Sequence, residues 1–141
     1  MCTAVYIAAD IPLTLVPWVE TAPAFYVAEI SGSDLAARVQ FSQPHVYYAG
    51  SYEGCGFQRR KYPAESCEPE ELERGRRSLR DFADYLTAEL GRTGRIGLYA
   101  CWEGEQDAPP AFHRTITPSA LRDPAFFFHD KERSTVVADA G

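Results

Sequence analysis

Apolar and polar positions along the chain divide it into short strand-like runs and one long helical stretch. Thr3 to Ala9 is apolar on both alternating sets, Cys2, Ala4, Tyr6 and Ala8 on one side and Thr3, Val5, Ile7 and Ala9 on the other. That pattern predicts an interior strand covered on both faces. Pro12, Pro17 and Pro23 then break the segment from Asp10 to Pro23. Each removes a backbone donor and pushes its predecessor into an extended conformation, so an ordered loop is expected, with Trp18 pinning it. Phe25 to Ile30 predicts a second strand, and Ser33 or Asp34 is placed to cap a short helix ending near Gln40.

Gln43 to Phe57 reads as a strand over Val46 to Ala49 that runs into a loop broken by Gly50, Gly54 and Gly56 around Cys55. Polar residues follow, with Arg59, Arg60 and Lys61 in a row and Pro63 and Pro69 flanking Cys67. From Pro69 to Leu90 the spacing turns helical, with Leu72, Leu79, Phe82, Ala83, Leu86 and Leu90 on one face. Glu70 and Glu73 stand four residues ahead of Arg74 and Arg77 on the other face, and Gly91 and Gly94 are expected to end the helix. Arg95 to Trp102 is again apolar on both alternating sets and predicts a buried strand. Glu103 to Pro110 forms an acidic turn region, Phe112 to Thr117 a further strand, and Pro118 to Pro124 a connector. Ala125 to His129 and Ser134 to Ala138 are expected to form a closing hairpin.

Strands interleaved with one long amphipathic helix imply an α/β or α+β single domain over residues 1–141. Its sheet is expected to be mixed, with about five to seven strands and the helix on one face. Neither an internal repeat nor a linker divides the chain. At 141 residues, 45% hydrophobic and 13% aromatic, the chain can fill a core. A domain this long buries roughly 68–70% of its unfolded surface, so it needs no disulfide or metal to fold.

The net charge of -6 argues against nucleic acid or an anionic membrane as the main partner. No run approaches the roughly 20 apolar residues of a bilayer span, and the start lacks a basic region ahead of an apolar one. A cytoplasmic setting with reduced thiols is the resulting expectation for Cys2, Cys55, Cys67 and Cys101.

If the strand ending near Ala49 and the strand ending at Trp102 run parallel around the intervening helix, Cys55 and Cys101 fall toward one end of the sheet. Open α/β sheets tend to bind ligands at that end. An antiparallel first strand would bring Cys2 there as well. Cys2, Cys55, Cys101, Trp102 and Glu103 are therefore the candidate binding cluster. Three thiolates with a histidine would make a soft-metal set. Without a Cys-x-x-Cys pair, buried core thiols are the simpler reading of Cys2 and Cys101, and neither a metal nor another cofactor is assigned.

A cysteine enzyme is the competing class. Cys55 between two glycines would be accessible, with His45, His113 or His129 as a base, and Cys2 would become an amino-terminal nucleophile if Met1 were removed. A third class is an interaction module that forms a homodimer through an exposed strand carrying Phe126, Phe127 and Phe128. An unknown small ligand or protein partner leads these readings.

Several segments also carry a resemblance: residues 1–10 (MCTAVYIAAD), 16–18 (VPW), 41–51 (FSQPHVYYAGS), 54–57 (GCGF) and 98–104 (LYACWEG). Together they resemble a family of small bacterial proteins of unknown function, across most of the chain. The resemblance implies no activity and lends no catalytic residue. Relatives often carry a doubled Cys-Gly where this chain has only Cys55-Gly56, which weakens a metal site needing two ligands there.

Overall fold

The computed structural model describes residues 3–52, 69–123 and 125–139. In chain order the elements are β1 (Thr3–Ala9), β2 (Tyr26–Glu29), a 3-10 helix (Gly32–Gln40), β3 (His45–Gly50), α1 (Pro69–Thr93), β4 (Arg95–Trp102), β5 (Phe112–Ile116), α2 (Pro118–Arg122) and β6 (Glu132–Val137). Among the described residues the six strands form one mixed sheet in the order β2-β3-β1-β4-β6-β5. Every neighbouring pair is antiparallel except β5 with β6. The molecule is an α+β single domain.

β1 is central and buried from Ala4 to Ala9, as its two apolar sides require. It runs antiparallel to both β3 and β4, with Val5 opposite Ala49 on one side and Ala100 on the other. β3 and β4 are therefore parallel around α1, as the strand, helix, strand reading expected, with β1 inserted between them.

α1 lays Phe82, Ala83, Leu86 and Leu90 on the sheet face formed by Val5, Ile7, Leu98 and Ala100. Phe25 stacks on Phe82 at 5.2 Å. Full burial of side chains such as Phe82 and Leu86 contributes about 1.5–3 kcal/mol each. The helix passes through Gly91 and stops only after Thr93, where Gly94 takes φ of +80°. The Gly94 N–H donates to the Leu90 carbonyl at 2.9 Å, which closes the last turn in a left-handed cap. On the solvent face Glu73 pairs with Arg80 at 2.7 Å rather than with Arg77.

The 3-10 helix covers the opposite face. Its buried Ala37 packs with Ala4, Tyr6, Tyr48, Tyr99 and Cys101. Asp34 does not cap this helix, which opens one residue after Ser31. Its carboxylate instead accepts the buried Tyr6 hydroxyl at 2.6 Å. Tyr99 likewise donates to the carbonyls of Glu105 and Ala108, both at 3.1 Å, which fastens the acidic turn region to the sheet. Gly50 is needed for close packing on this face, because a Cβ there would collide with the Tyr26 ring.

The proline-rich loop is ordered, though Trp18 contributes only an edge-on contact to Tyr26 at 5.1 Å and stays 41% exposed. Its ties include Leu13 N–H to the Tyr47 hydroxyl at 3.1 Å, Thr14 N–H to the buried Glu89 carboxylate at 2.6 Å, and a pair of backbone hydrogen bonds between Val16 and Val27, both at 3.0 Å.

Two expectations near the end of the chain are corrected. Residues 118–124 are not a bare connector, because Pro118 starts α2 just after the extended Thr117, a position that suits its fixed φ and missing N–H. The closing hairpin is absent, and Phe126, Phe127 and Phe128 belong to no strand. Phe128 is buried in the core on the α1 side and meets Phe126 edge-on at 4.9 Å. Because β6 pairs in parallel with β5, the two need a crossover, which α2 and the segment after it provide. Among the described residues no helix is long and apolar enough to cross a membrane.

Candidate functional site

The sheet's pairing gathers several strand ends at one place. Thr3, at the start of β1, lies opposite Trp102, at the end of β4. β6 is antiparallel to β4 and pairs Glu132 with Ala100, so β6 starts at this end too. β5 runs parallel to β6 with Phe112 beside Glu132, which adds the start of β5.

A cleft of about 180 Å³ opens here. Thr3, Cys101 and Trp102 line it from β1 and β4, and Phe112 lines it from β5. Phe127, Phe128, His129 and Asp130, from the segment leading into β6, complete the wall. His129 stacks on Phe112 at 4.8 Å and meets Phe127 edge-on at 4.7 Å.

Asp130 is tied to β4 through its Oδ1, which accepts the Trp102 N–H at 2.9 Å. Lys131 Nζ lies 3.5 Å from Asp130 Oδ2 and 3.2 Å from Glu105 Oε2. The hydrogen bond to Glu105 is the main reason the lysine is held above its ordinary range. Lys131 takes φ of 58°, uncommon for a residue with a side chain. In that conformation its carbonyl accepts the N–H groups of Ala111 at 2.8 Å and Phe112 at 3.3 Å, which ties β5 to the turn.

Behind the aromatic wall lies the fully buried carboxylate of Glu132, gripped by Arg114. Arg114 Nε donates to Oε2, and Nη2 to Oε1 at 3.2 Å. The Ser134 hydroxyl donates to Oε2 at 3.2 Å and the His129 N–H to Oε1 at 2.8 Å. Arg114 Nη2 also donates to the Phe127 carbonyl at 3.0 Å. One ion pair thus fixes two wall residues, Phe127 through the arginine and His129 through the carboxylate.

Of the residues singled out from sequence, Cys101 and Trp102 stand in the cleft. Glu103 is exposed and does not line it. Cys2 and Cys55 lie outside the described residues. Cys101 is fully buried, in keeping with its reading as a core thiol. Burial, and then the carboxylates of Asp130, Glu105, Asp34 and Glu103, pushes its thiol up to about 12. At neutral pH it is a protonated, weakly reactive group. Among the described residues no group of three or more His, Cys, Asp or Glu side chains is arranged to hold a metal ion.

Sequence reasoning placed Thr3, Phe112 and Asp130 in no site; it named His129 only as a possible base for a cysteine, and Phe127 and Phe128 only as part of a dimer-forming strand, although all of them line the cleft. A usable signal was Thr117-Pro118, the pairing of a capping residue with a first-turn proline. It marks a helix that turns residues 112–137 into a strand, helix, strand unit, with Phe112 and Glu132 at the same end.

A second depression, broader and shallower, lies on the other side of β5 and β6 around His113, Thr115, Arg133 and Thr135. The Arg133 guanidinium is committed to structure there. It donates to the carbonyls of Gln40 at 2.8 Å and Ser134 at 2.7 Å, and it covers the Phe41 ring at 4.7 Å. No protein-family model, curated protein or solved structure matches the chain.

Proposed function

We propose that the protein is a binding domain for a small ligand, with its site in the cleft at the Cys101 and Trp102 end of the sheet. The observation that carries this reading is a concave, aromatic-lined space into which a single fixed carboxylate, Asp130, converges. Small-molecule sites combine mostly apolar walls with a few placed polar groups in this way. The walls come from four separate strand ends, and the Arg114 and Glu132 pair fixes two of the wall residues, Phe127 and His129. Screening a small-fragment library by amide NMR tests the reading. Shifts clustered at Cys101, Trp102 and residues 127–130 are expected, and fragments that perturb only other surfaces would sink it.

A cysteine-dependent enzyme using Cys55 or Cys2 is the second reading. It is favoured by the start of β1 and the end of β3, the described segments next in sequence to Cys2 and Cys55, lying at the cleft's end of the sheet. Thiol titration of the native protein at neutral pH separates the two. A binding domain gives uniformly slow thiols, whereas an enzyme gives one fast thiol, which is not Cys101.

A further inference from the structure

We propose that the ligand of the cleft is a small, free organic ammonium; this rests on the reading of the cleft as a binding site. Trp102, Phe112, Phe127 and Phe128 supply aromatic surface, and Asp130 is the acidic group among the lining residues. Aromatic rings attract a cation through their negative faces, and the attraction grows once water is excluded.

The charges around the cleft point the same way. Lys131 is shared between Asp130 and Glu105, so this trio retains a net negative charge, and the exposed Glu103 adds to it. The Arg114 charge behind the wall is matched by Glu132. Behind burial, the carboxylates of Asp130, Glu105, Asp34 and Glu103 all disfavour a negative charge on the lining thiol of Cys101, the same preference expected of an anion there.

An anion would be repelled by this potential. A neutral apolar ligand would strip water from Asp130, which has the Trp102 N–H and a lysine shared with Glu105 as partners, and would add no charge to balance the one left over. A metal ion such as calcium wants six to eight oxygen ligands, and the cleft offers one carboxylate. An organic ammonium satisfies both the rings and Asp130. At about 180 Å³ the cleft lies below the roughly 300 Å³ at which pockets for drug-sized ligands begin, so the ligand is small.

The test compares tetramethylammonium with its neutral near-isostere 2,2-dimethylpropan-1-ol, titrated into the full chain and read by the amide resonances of Trp102 and Asp130. The ammonium is expected to bind about tenfold more tightly than the alcohol, and added sodium chloride should weaken only the ammonium. Asp130→Asn keeps an oxygen for the Trp102 N–H, so it is expected to abolish the preference while leaving the alcohol's affinity in place. Alcohol binding as tight as ammonium binding, or a preference unchanged by Asp130→Asn, overturns the ligand class and leaves the cleft reading standing. If neither probe shifts these resonances, the cleft reading falls with it. Phosphatidylcholine vesicles carry the same ammonium on a lipid; co-sedimentation of the protein with them would overturn the assignment to a free molecule.

Discussion

At Cys101 the neighbours of one side chain set a pH limit on the fold. In the unfolded chain this thiol loses its proton near 9.0, whereas in the folded protein it keeps it until about 12. Between those values the unfolded state binds fewer protons, so unfolding becomes easier as pH rises. The loss is roughly 1 kcal/mol per pH unit from this group. Below pH 9 both states hold the proton and the contribution is flat. Cys101→Ala removes the titration and leaves the other thiols in place. In urea denaturation the variant is expected to be less stable than the wild type at pH 7, by a margin that shrinks from pH 9 to pH 11. Parallel stability curves for the two proteins would refute this account. The burial of Cys101 was legible in the sequence, because both alternating sides of Arg95 to Trp102 are apolar. Its acidic surroundings were not, since Asp34 and Asp130 come from distant segments.

Among the elements, the turn from Phe127 to Glu132 depends on one arginine. Arg114→Met leaves the Glu132 carboxylate buried without its counter-ion. Stability is expected to fall by up to about 3 kcal/mol, tempered because water reaches part of Arg114. The same change should lower hydrogen-exchange protection at the His129 amide, whose acceptor is the Glu132 carboxylate. Adding Glu132→Leu removes the stranded charge and should recover part of the loss, and a double variant no more stable than Arg114→Met would contradict the buried-charge explanation. β1, β4 and α1 were readable because their patterns, apolar on both faces or with a 3.6-residue period, match their burial. The stretch from Ala125 to His129 misled for a physical reason. Three consecutive phenylalanines favour a strand locally, but Phe128 gains more by entering the core than by joining a ladder. The 3-10 helix held the reverse lesson, because Asp34 had the chemistry of a cap and was claimed by Tyr6 of the sheet face beneath it.

For the whole molecule, a mixed sheet with one long helix on a face followed from pattern alone, as did the shared end of β3 and β4, where the candidate site lies. The walls of that site did not, because they are assembled from strand ends far apart in the chain, and spacing carries no record of such meetings. The same pairing governs how the protein is made. β1 is synthesised well before β4, yet it waits for β4 on one of its two edges, with Thr3 opposite Trp102 and Ala8 opposite Gly97. Until residues 95–102 have emerged, that apolar edge has no partner, and an unpaired edge is a template for other chains. A chain ending at Gly94 is therefore expected to aggregate at micromolar concentration, with a separate peptide of residues 95–102 suppressing the light scattering. A clear, monomeric solution of the truncated chain would argue otherwise. Production of this protein thus carries a window of vulnerability, which opens with β1 and closes only when β4 arrives.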